Sequence, residues 1–328
     1  LLEITLASSP QVADMILKNN MFSYFNKKKV AELCEKAGLL HHALENYTEV
    51  NDRKRILKNA HLVNPDYLVN FFLPFSPTQT LDFLKEMVNN PKNIAVCAQV
   101  GVRYWNFLGI KPILALFEAI KSYEGVFLFL QPILSLTEDP DAHFKFIEAA
   151  ARLNQLKEVE RVCRESNVYN PEKVRDFLKE IKLADPLPLM IVANKHGFVA
   201  DMTRYLIKNG LKRSIEVYVT VINADHTPLV VGTLLDEDVG EDYIKGLLHT
   251  VGGLCPIDKL VEEVEKRNKL KVLQPFLEAR QNDGNQEAAL HNALAKIYID
   301  ARQNPEKFLM SNTFYDHHVV GKYCENRD

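Results

Sequence analysis

"FNKKKVAELCEKAGLLHHALENY", residues 25–47, admits two readings. Cys34 beside Glu35, with His41 and His42 following, has the residue types of half a metal or catalytic site. The same stretch also reads as two helices joined by a turn at Gly38, because the apolar residues Leu40, Ala43 and Tyr47 fall 2, 5 and 9 positions after the glycine, the spacing of one helical face. The choice between these readings decides whether the chain does chemistry or holds something up.

Repetition favours the second. The same offsets follow Gly125 (Phe127, Leu130, Leu134), Asn154 (Leu156, Val159, Cys163) and Asn268 (Leu270, Leu273, Leu277), and more weakly Asn209 (Leu211, Ser214, Tyr218). These markers stand 87, 29, 55 and 59 residues apart, near multiples of 29, a length that holds a helix, a tight turn and a second helix. Gly and Asn tolerate the left-handed backbone that ends a helix, so Gly38, Gly125, Asn154, Asn209 and Asn268 are expected at turns. Helix starts are expected where an Asn or Asp cap precedes a proline suited to the first turn: Asn64-Pro65, Asn90-Pro91, Asp139-Pro140, Asn170-Pro171, Asp185-Pro186 and Asn304-Pro305.

A longer period lies above this one. An aromatic residue, then Asn or Asp, then Val four positions on, recurs as Phe25-Asn26-Val30, Tyr169-Asn170-Val174 and Tyr315-Asp316-Val320. Asn26, Asn170 and Asp316 are therefore expected helix N-caps. They stand 144 and 146 residues apart, about five of the shorter units. At the doubled period "VAELCE" (residues 30–35) aligns with "VGKYCE" (320–325), which puts Cys34 and Cys324 in one register. A hairpin cannot bury its apolar face alone, so neighbours stack. The fold expected is all-α: an α-solenoid, a superhelical stack of about eleven short hairpins. "SIEVYVTVIN", residues 214–223, is rich in β-branched residues and leans to strand by propensity, but its register with the other hairpins reads as helix.

Composition agrees and excludes much else. Glycine is only 13 of 328 residues, low for a loop-rich or β-rich domain. The formal net charge is −3 with the signs interspersed, so no broad basic footprint for nucleic acid or anionic lipid is present. No apolar run reaches membrane-spanning length and the start has no signal-peptide pattern; a cytosolic protein is expected. Neither terminus carries a signature, and a piece of a longer chain is expected. The five cysteines lie far apart with no C-x-x-C pair, unlike a disulfide framework or thiolate metal site.

Chemistry is not expected anywhere. Cys34 occupies a repeated apolar-stripe position and reads as a core residue. His41 and His42 are adjacent, so on a helix they point about 100° apart and are not expected to chelate one ion together; His317 and His318 repeat the adjacency. "VGGLCP" (251–256) lacks the lysine and spacing of a phosphate-binding loop and reads as a helix-to-helix connection. Glu138, Asp139 and Asp141 read as a capping cluster, and Lys27, Lys28 and Lys29 as a solvated face. No catalytic, cofactor-binding or metal-binding residue, and no cofactor, is expected.

Long segments of the chain are familiar. "VAELCEKAGLLHHALENY", "EVERVCRESNVYNPEKVRDFLKE", "LVEEVEKRNKLKVL", "HNALAKIYIDARQNPEKFL" and "VVGKYCENRD" closely resemble stretches of the clathrin heavy-chain family, in the same order, from about Leu6 to Asp328. The resemblance implies a solenoid of clathrin heavy-chain repeats, each of about five hairpins: the end of one repeat (1–121), one whole repeat (122–267) and the start of a third (268–328). It implies a structural segment of the distal leg of a triskelion, contributing length and lateral leg-to-leg contacts to the polyhedral coat of vesicles, on the cytosolic face of coated pits. Light chains, adaptors and trimerisation would then belong to other parts of the full-length protein. The other reading of the residues is a binding module, a solenoid of a vesicle-tethering or sorting complex.

Overall fold

The computed structural model describes residues 2–19, 21 and 24–325; Asn326, Arg327 and Asp328, the end of "VVGKYCENRD", lie outside the described residues. Among the described residues there are twenty-three α-helices and no strand. The chain forms two compact units, Leu1–Asn170 and Pro171–Asp328.

The first unit opens with α1 (Leu2–Ser8), α2 (Pro10–Lys18), α3 (Lys27–Lys36), α4 (Leu40–Asn46), α5 (Val50–Leu57) and α6 (Pro65–Phe71). It continues through α7 (Pro77–Met87), α8 (Ile94–Leu108), α9 (Ile110–Ala119), α10 (Tyr123–Leu130), α11 (Pro140–Arg152) and α12 (Leu156–Glu165). The second holds α13 (Pro171–Ile181), α14 (Leu187–His196), α15 (Val199–Lys208), α16 (Lys212–Val217), α17 (Thr227–Asp236) and α18 (Glu241–Val251). It ends with α19 (Ile257–Glu265), α20 (Gln274–Asn282), α21 (Ala288–Ala301), α22 (Pro305–Ser311) and α23 (His317–Glu325).

Packing is local in sequence, as a solenoid requires. In the first unit α3 packs on α1 and α4, α8 on α6, α7, α9 and α10, and α11 on α10 and α12. In the second, α17 lies between α15 and α19, and α21 between α19 and α23. The apolar stripes meet in a core that buries Tyr47, Phe72, Phe83, Phe117, Phe129 and Phe146 in the first unit and Tyr218 in the second. Burying such a side chain is worth about 1.5–3 kcal/mol, so each hairpin is held by its neighbours more than by its own short helices.

The turns explain the short period. Gly38 (φ +79), Asn154 (φ 57) and Asn268 (φ 54) are left-handed. At Gly38 the main-chain N–H donates to Glu35 O, and the N–H of Leu39 donates to Cys34 O, the paired bonds of a Schellman motif. The same pair closes α9 around Lys121, α11 around Asn154, α15 around Gly210, α17 around Asp238, α19 around Asn268 and α21 around Arg302. With Lys182, a series of these left-handed residues, at 121, 154, 182, 210, 238, 268 and 302, is spaced by 28–34 residues, while Gly109, Gly197, Gly252, Gly284 and Asn304 have positive φ outside that series.

Two expected turn positions fall elsewhere. Asn209 has φ −97 and its neighbour Gly210 has φ +73, a slip of one residue caused by two turn-prone residues in succession. Gly125 is not a turn residue. It sits in the first turn of α10, where its N–H donates to the N-cap Ser122 Oγ, and the turn is made by Lys121. The glycine is there for space: a Cβ on it would lie 2.2 Å from Phe117 Cδ1.

Several helix starts follow the capping rule; at Asp185-Pro186 the helix begins one residue later, at Leu187, whose N–H donates to Asp185 Oδ1. Asn26 Oδ1 accepts from Lys29 N, Asn64 from Asp66 and Tyr67, Asp139 from Asp141, and Asp316 from His318 and Val319. Asn170 directly precedes α13. Asn304 instead adopts φ 45 and makes no side-chain cap bond, because the chain is still reversing there. Asn90-Pro91 starts a 3-10 turn, Pro91–Asn93, that leads into α8. Residues 214–222 are helical, with Asn223 extended beyond them: α16 widens into a π-helix, Tyr218–Ile222. There the Thr220 hydroxyl donates back to Glu216 O at 2.7 Å, and the buried Tyr218 hydroxyl reaches Asn194 Oδ1 and His226 Nδ1.

Candidate functional site

Three kinds of polar feature stand out against the apolar stack. The first is a pair of equivalent histidine joints, which sequence reasoning missed. In the first unit, buried His143 on α11 donates through Nε2 to Thr137 O at 3.0 Å and accepts at Nδ1 from the Ser166 hydroxyl at 2.9 Å. In the second, buried His291 on α21 donates through Nε2 to Asn285 O at 2.9 Å and accepts at Nδ1 from the Asn312 amide at 2.8 Å. The carbonyls, the rings and the Nδ1 partners stand 148, 148 and 146 residues apart. At the same long spacing Tyr169 and Tyr315 donate to Cys163 O and Leu309 O, and Val174 and Val320 are buried. The signal was available: the joints lie within the same long period as the Asn170 and Asp316 caps.

The second feature is a series of polar links between the stacked helices of the second unit. Arg204 on α15 donates to Glu237 just beyond α17 at 3.1 Å. Arg267, just beyond α19, grips both Asp236 oxygens at 2.7 Å and also Glu263 Oε2 at 2.9 Å. Lys296 on α21 pairs with Glu265 on α19, and Tyr323 on α23 donates to Asp300 on α21 at 2.8 Å. Arg267 beside Asp236 holds that carboxyl below its ordinary range, and Lys266 and then Arg267 do the same for Glu263. Each link is partly exposed and worth about 0.2–1 kcal/mol; together they fix how each helix sits on the next.

The third feature corrects a sequence expectation. His41 and His42 on α4 do converge: their ring centroids are 3.9 Å apart, and the two Nε2 atoms lie 3.2 and 3.0 Å from the same oxygen, Asp14 Oδ1. Adjacent positions diverge by about 100° on the helix, but Asp14 arrives from α2 and sits over both rings. On its other side His42 faces Glu45, with Nδ1 3.0 Å from Oε2, and Lys18 donates to Asp14 Oδ2 at 2.6 Å. Burial alone would lower His42, but its hydrogen bonds to the Glu45 and Asp14 carboxylates, with their charge, outweigh it and raise its pKa. His41 is lowered, by burial and by the ring beside it.

The remaining candidates are structural or lie apart. Cys34, Cys97, Cys163 and Cys255 are buried and Cys324 is half-buried; burial pushes the thiols of Cys34 up to about 11 and of Cys97 and Cys255 up to about 12, away from thiolate chemistry. Lys27, Lys28 and Lys29 are exposed on the first turn of α3, where Lys29 pairs with Glu3 at 2.7 Å. Residues 252–254 of "VGGLCP" form a 3-10 turn between α18 and α19. His317 and His318 are exposed at the start of α23. No helix among the described residues is long and apolar enough to cross a membrane.

Comparison with known proteins supplies a context for these features. The family model described as a region in clathrin and VPS matches residues 1–94, 103–242 and 248–328. The whole chain is 52% identical over 330 residues to the clathrin heavy chain of Drosophila melanogaster, and 51% identical over 331 residues to that of Dictyostelium discoideum. It is 51% identical over 330 residues to clathrin heavy chain 2 of Homo sapiens. The chain spans about a fifth of the length of these curated relatives, 20% of each.

Proposed function

The chain belongs to the clathrin repeat family, and from that premise we propose that it is a structural segment of a clathrin triskelion leg. It supplies length and lateral contacts to other heavy-chain legs in the polyhedral coat of vesicles, on the cytosolic face of coated pits. The observation that carries this reading is full-length similarity: the chain aligns end to end with one fifth of clathrin heavy chains at about 50% identity. The polar links between α15, α17, α19, α21 and α23 support it, since a load-carrying segment needs helices that cannot slide on one another.

In this reading residues 1–121 close one repeat, 122–267 make a whole one and 268–328 open the next. The recurrence of the histidine joint after 148 residues supports a repeat of that length. Light chains, adaptors and the trimerising hub engage other parts of the full-length protein, and the segment itself catalyses nothing. Leg contacts are individually weak and multiplied by trivalency, so the chain alone does not build cages.

The test is substitution in place. This chain replaces the corresponding fifth of a clathrin heavy chain, and the purified trimer is assembled and imaged by electron microscopy. Closed cages are expected. Trimers that stay folded by circular dichroism yet fail to close cages overturn the reading.

A further inference from the structure

We propose that Asp14, His41 and His42 form a binding site for a divalent transition-metal ion of the zinc class, which clips α2 to α4. Asp14 Oδ1, His41 Nε2 and His42 Nε2 all lie within 4.8 Å of one another. The two nitrogen-to-oxygen separations are 3.2 and 3.0 Å. Ligands bound at about 2.0–2.1 Å around a tetrahedral zinc ion stand about 3.3 Å apart, so these separations already have the length of ligand-to-ligand edges.

The hydrogen bookkeeping asks for a cation. Glu45 Oε2 lies 3.0 Å from His42 Nδ1, and a carboxylate only accepts, so Nδ1 carries the hydrogen. In a neutral imidazole Nε2 then presents a lone pair. What it faces at 3.0 Å is Asp14 Oδ1, an acceptor, so the two are joined only by a second hydrogen on His42 or by a cation between them. His41 repeats the problem: its Nε2 is buried and has no hydrogen-bond partner, although Asp14 Oδ1 is close, because the two are not aligned for a bond. Lys18 occupies only the other Asp14 oxygen. Three ligand atoms thus point at one small volume, where either a second hydrogen on His42 or a metal ion joins them.

Two imidazole nitrogens and one carboxylate oxygen suit zinc, with a fourth position left for water. Glu45 would orient His42 from behind, the usual partner of a metal-bound histidine. The His42 side chain is 4% exposed and that of His41 28%, so the site is sheltered but reachable past the His41 ring. Its role is a clip: α4 has seven residues, too few to be stable alone, and the ion would fasten it to a helix 27 residues upstream of His41. The proposal does not depend on the coat reading. Its competitor is a proton on His42, held between Asp14 and Glu45.

The untagged chain, stripped with a chelator, is titrated with Zn²⁺ by calorimetry and with Co²⁺ by visible absorption. Binding of one equivalent is expected, with tetrahedral Co²⁺ bands and a rise in melting temperature on adding Zn²⁺. Glu45→Gln should weaken binding by about 10–100-fold, and Asp14→Asn and His41→Gln should abolish the bands with the circular dichroism unchanged. Should Asp14→Asn fail to fold, His41→Gln carries the test, since its ring is the most exposed of the set. Absence of stoichiometric binding, or equal binding by His41→Gln, overturns the proposal and leaves the proton as the charge at the centre.

Discussion

At Gly125 the deciding quantity is a distance. A Cβ there would meet the Phe117 ring at 2.2 Å, and neither α9 nor α10 can retreat without opening the core around Phe129. Gly125→Ala is therefore expected to destabilise the chain by about 1–3 kcal/mol, read as a lower denaturant midpoint. Lys182 presents the opposite case. It is exposed with φ 51, and a left-handed conformation costs a residue with a Cβ about 1–2 kcal/mol, part of which glycine returns as chain entropy. Lys182→Gly should raise stability by about 0.5–1 kcal/mol in the same assay. These residues also mark how far the sequence could be read. Gly38, Asn154 and Asn268 announce their turns by residue type. Lys121, Lys182, Asp238 and Arg302 do not; at Lys121, Asp238 and Arg302 what holds the residue left-handed is the main-chain bonding that closes the helix before it. The convergence of His41 and His42 was hidden for a different reason: helical spacing describes one element, and Asp14 belongs to another.

Between elements, the Arg267 clamp makes a claim about pH. Asp236 and Glu263 are both held below the ordinary carboxylate range, so their contribution is present at neutral pH and is lost as pH falls through the depressed values. Arg267→Met should thus cost up to about 1 kcal/mol at pH 7. The difference from wild type should shrink as the pH is lowered through and below the ordinary carboxylate range, and urea titrations across that range measure it. At the histidine joints the loss is of buried bonds rather than exposed ones. His143→Phe removes the buried bonds to Thr137 O and the Ser166 hydroxyl and should cost about 1–3 kcal/mol, with the lost amide protection centred on α11 and α12. The helices themselves were largely legible from stripes, prolines and caps. The π-helix at Tyr218–Ile222 was not, since it arises from a Thr220 back-bond and the buried anchoring of Tyr218, which no linear pattern displays.

Across the whole molecule, contacts run between helices close in sequence, so stability is a sum of hairpin and neighbour terms rather than one indivisible quantity. A proline at Ala295, fully buried in the middle of α21, should unfold its surroundings in the second unit while amide exchange in α7–α9 of the first stays at wild-type rates. Hydrogen exchange with mass spectrometry resolves the two; loss of protection throughout would mean a single cooperative body. The left-handed turns have a bearing on how such a chain ages. At Lys121, Asp238 and Arg302 the bend is written in the main chain and the side chain is exposed, so it is answerable to nothing inside the stack. Mutation can rewrite its charge from one lineage to the next while the architecture is inherited unaltered, and such turns become the places where descendants of one scaffold can diverge in what they touch.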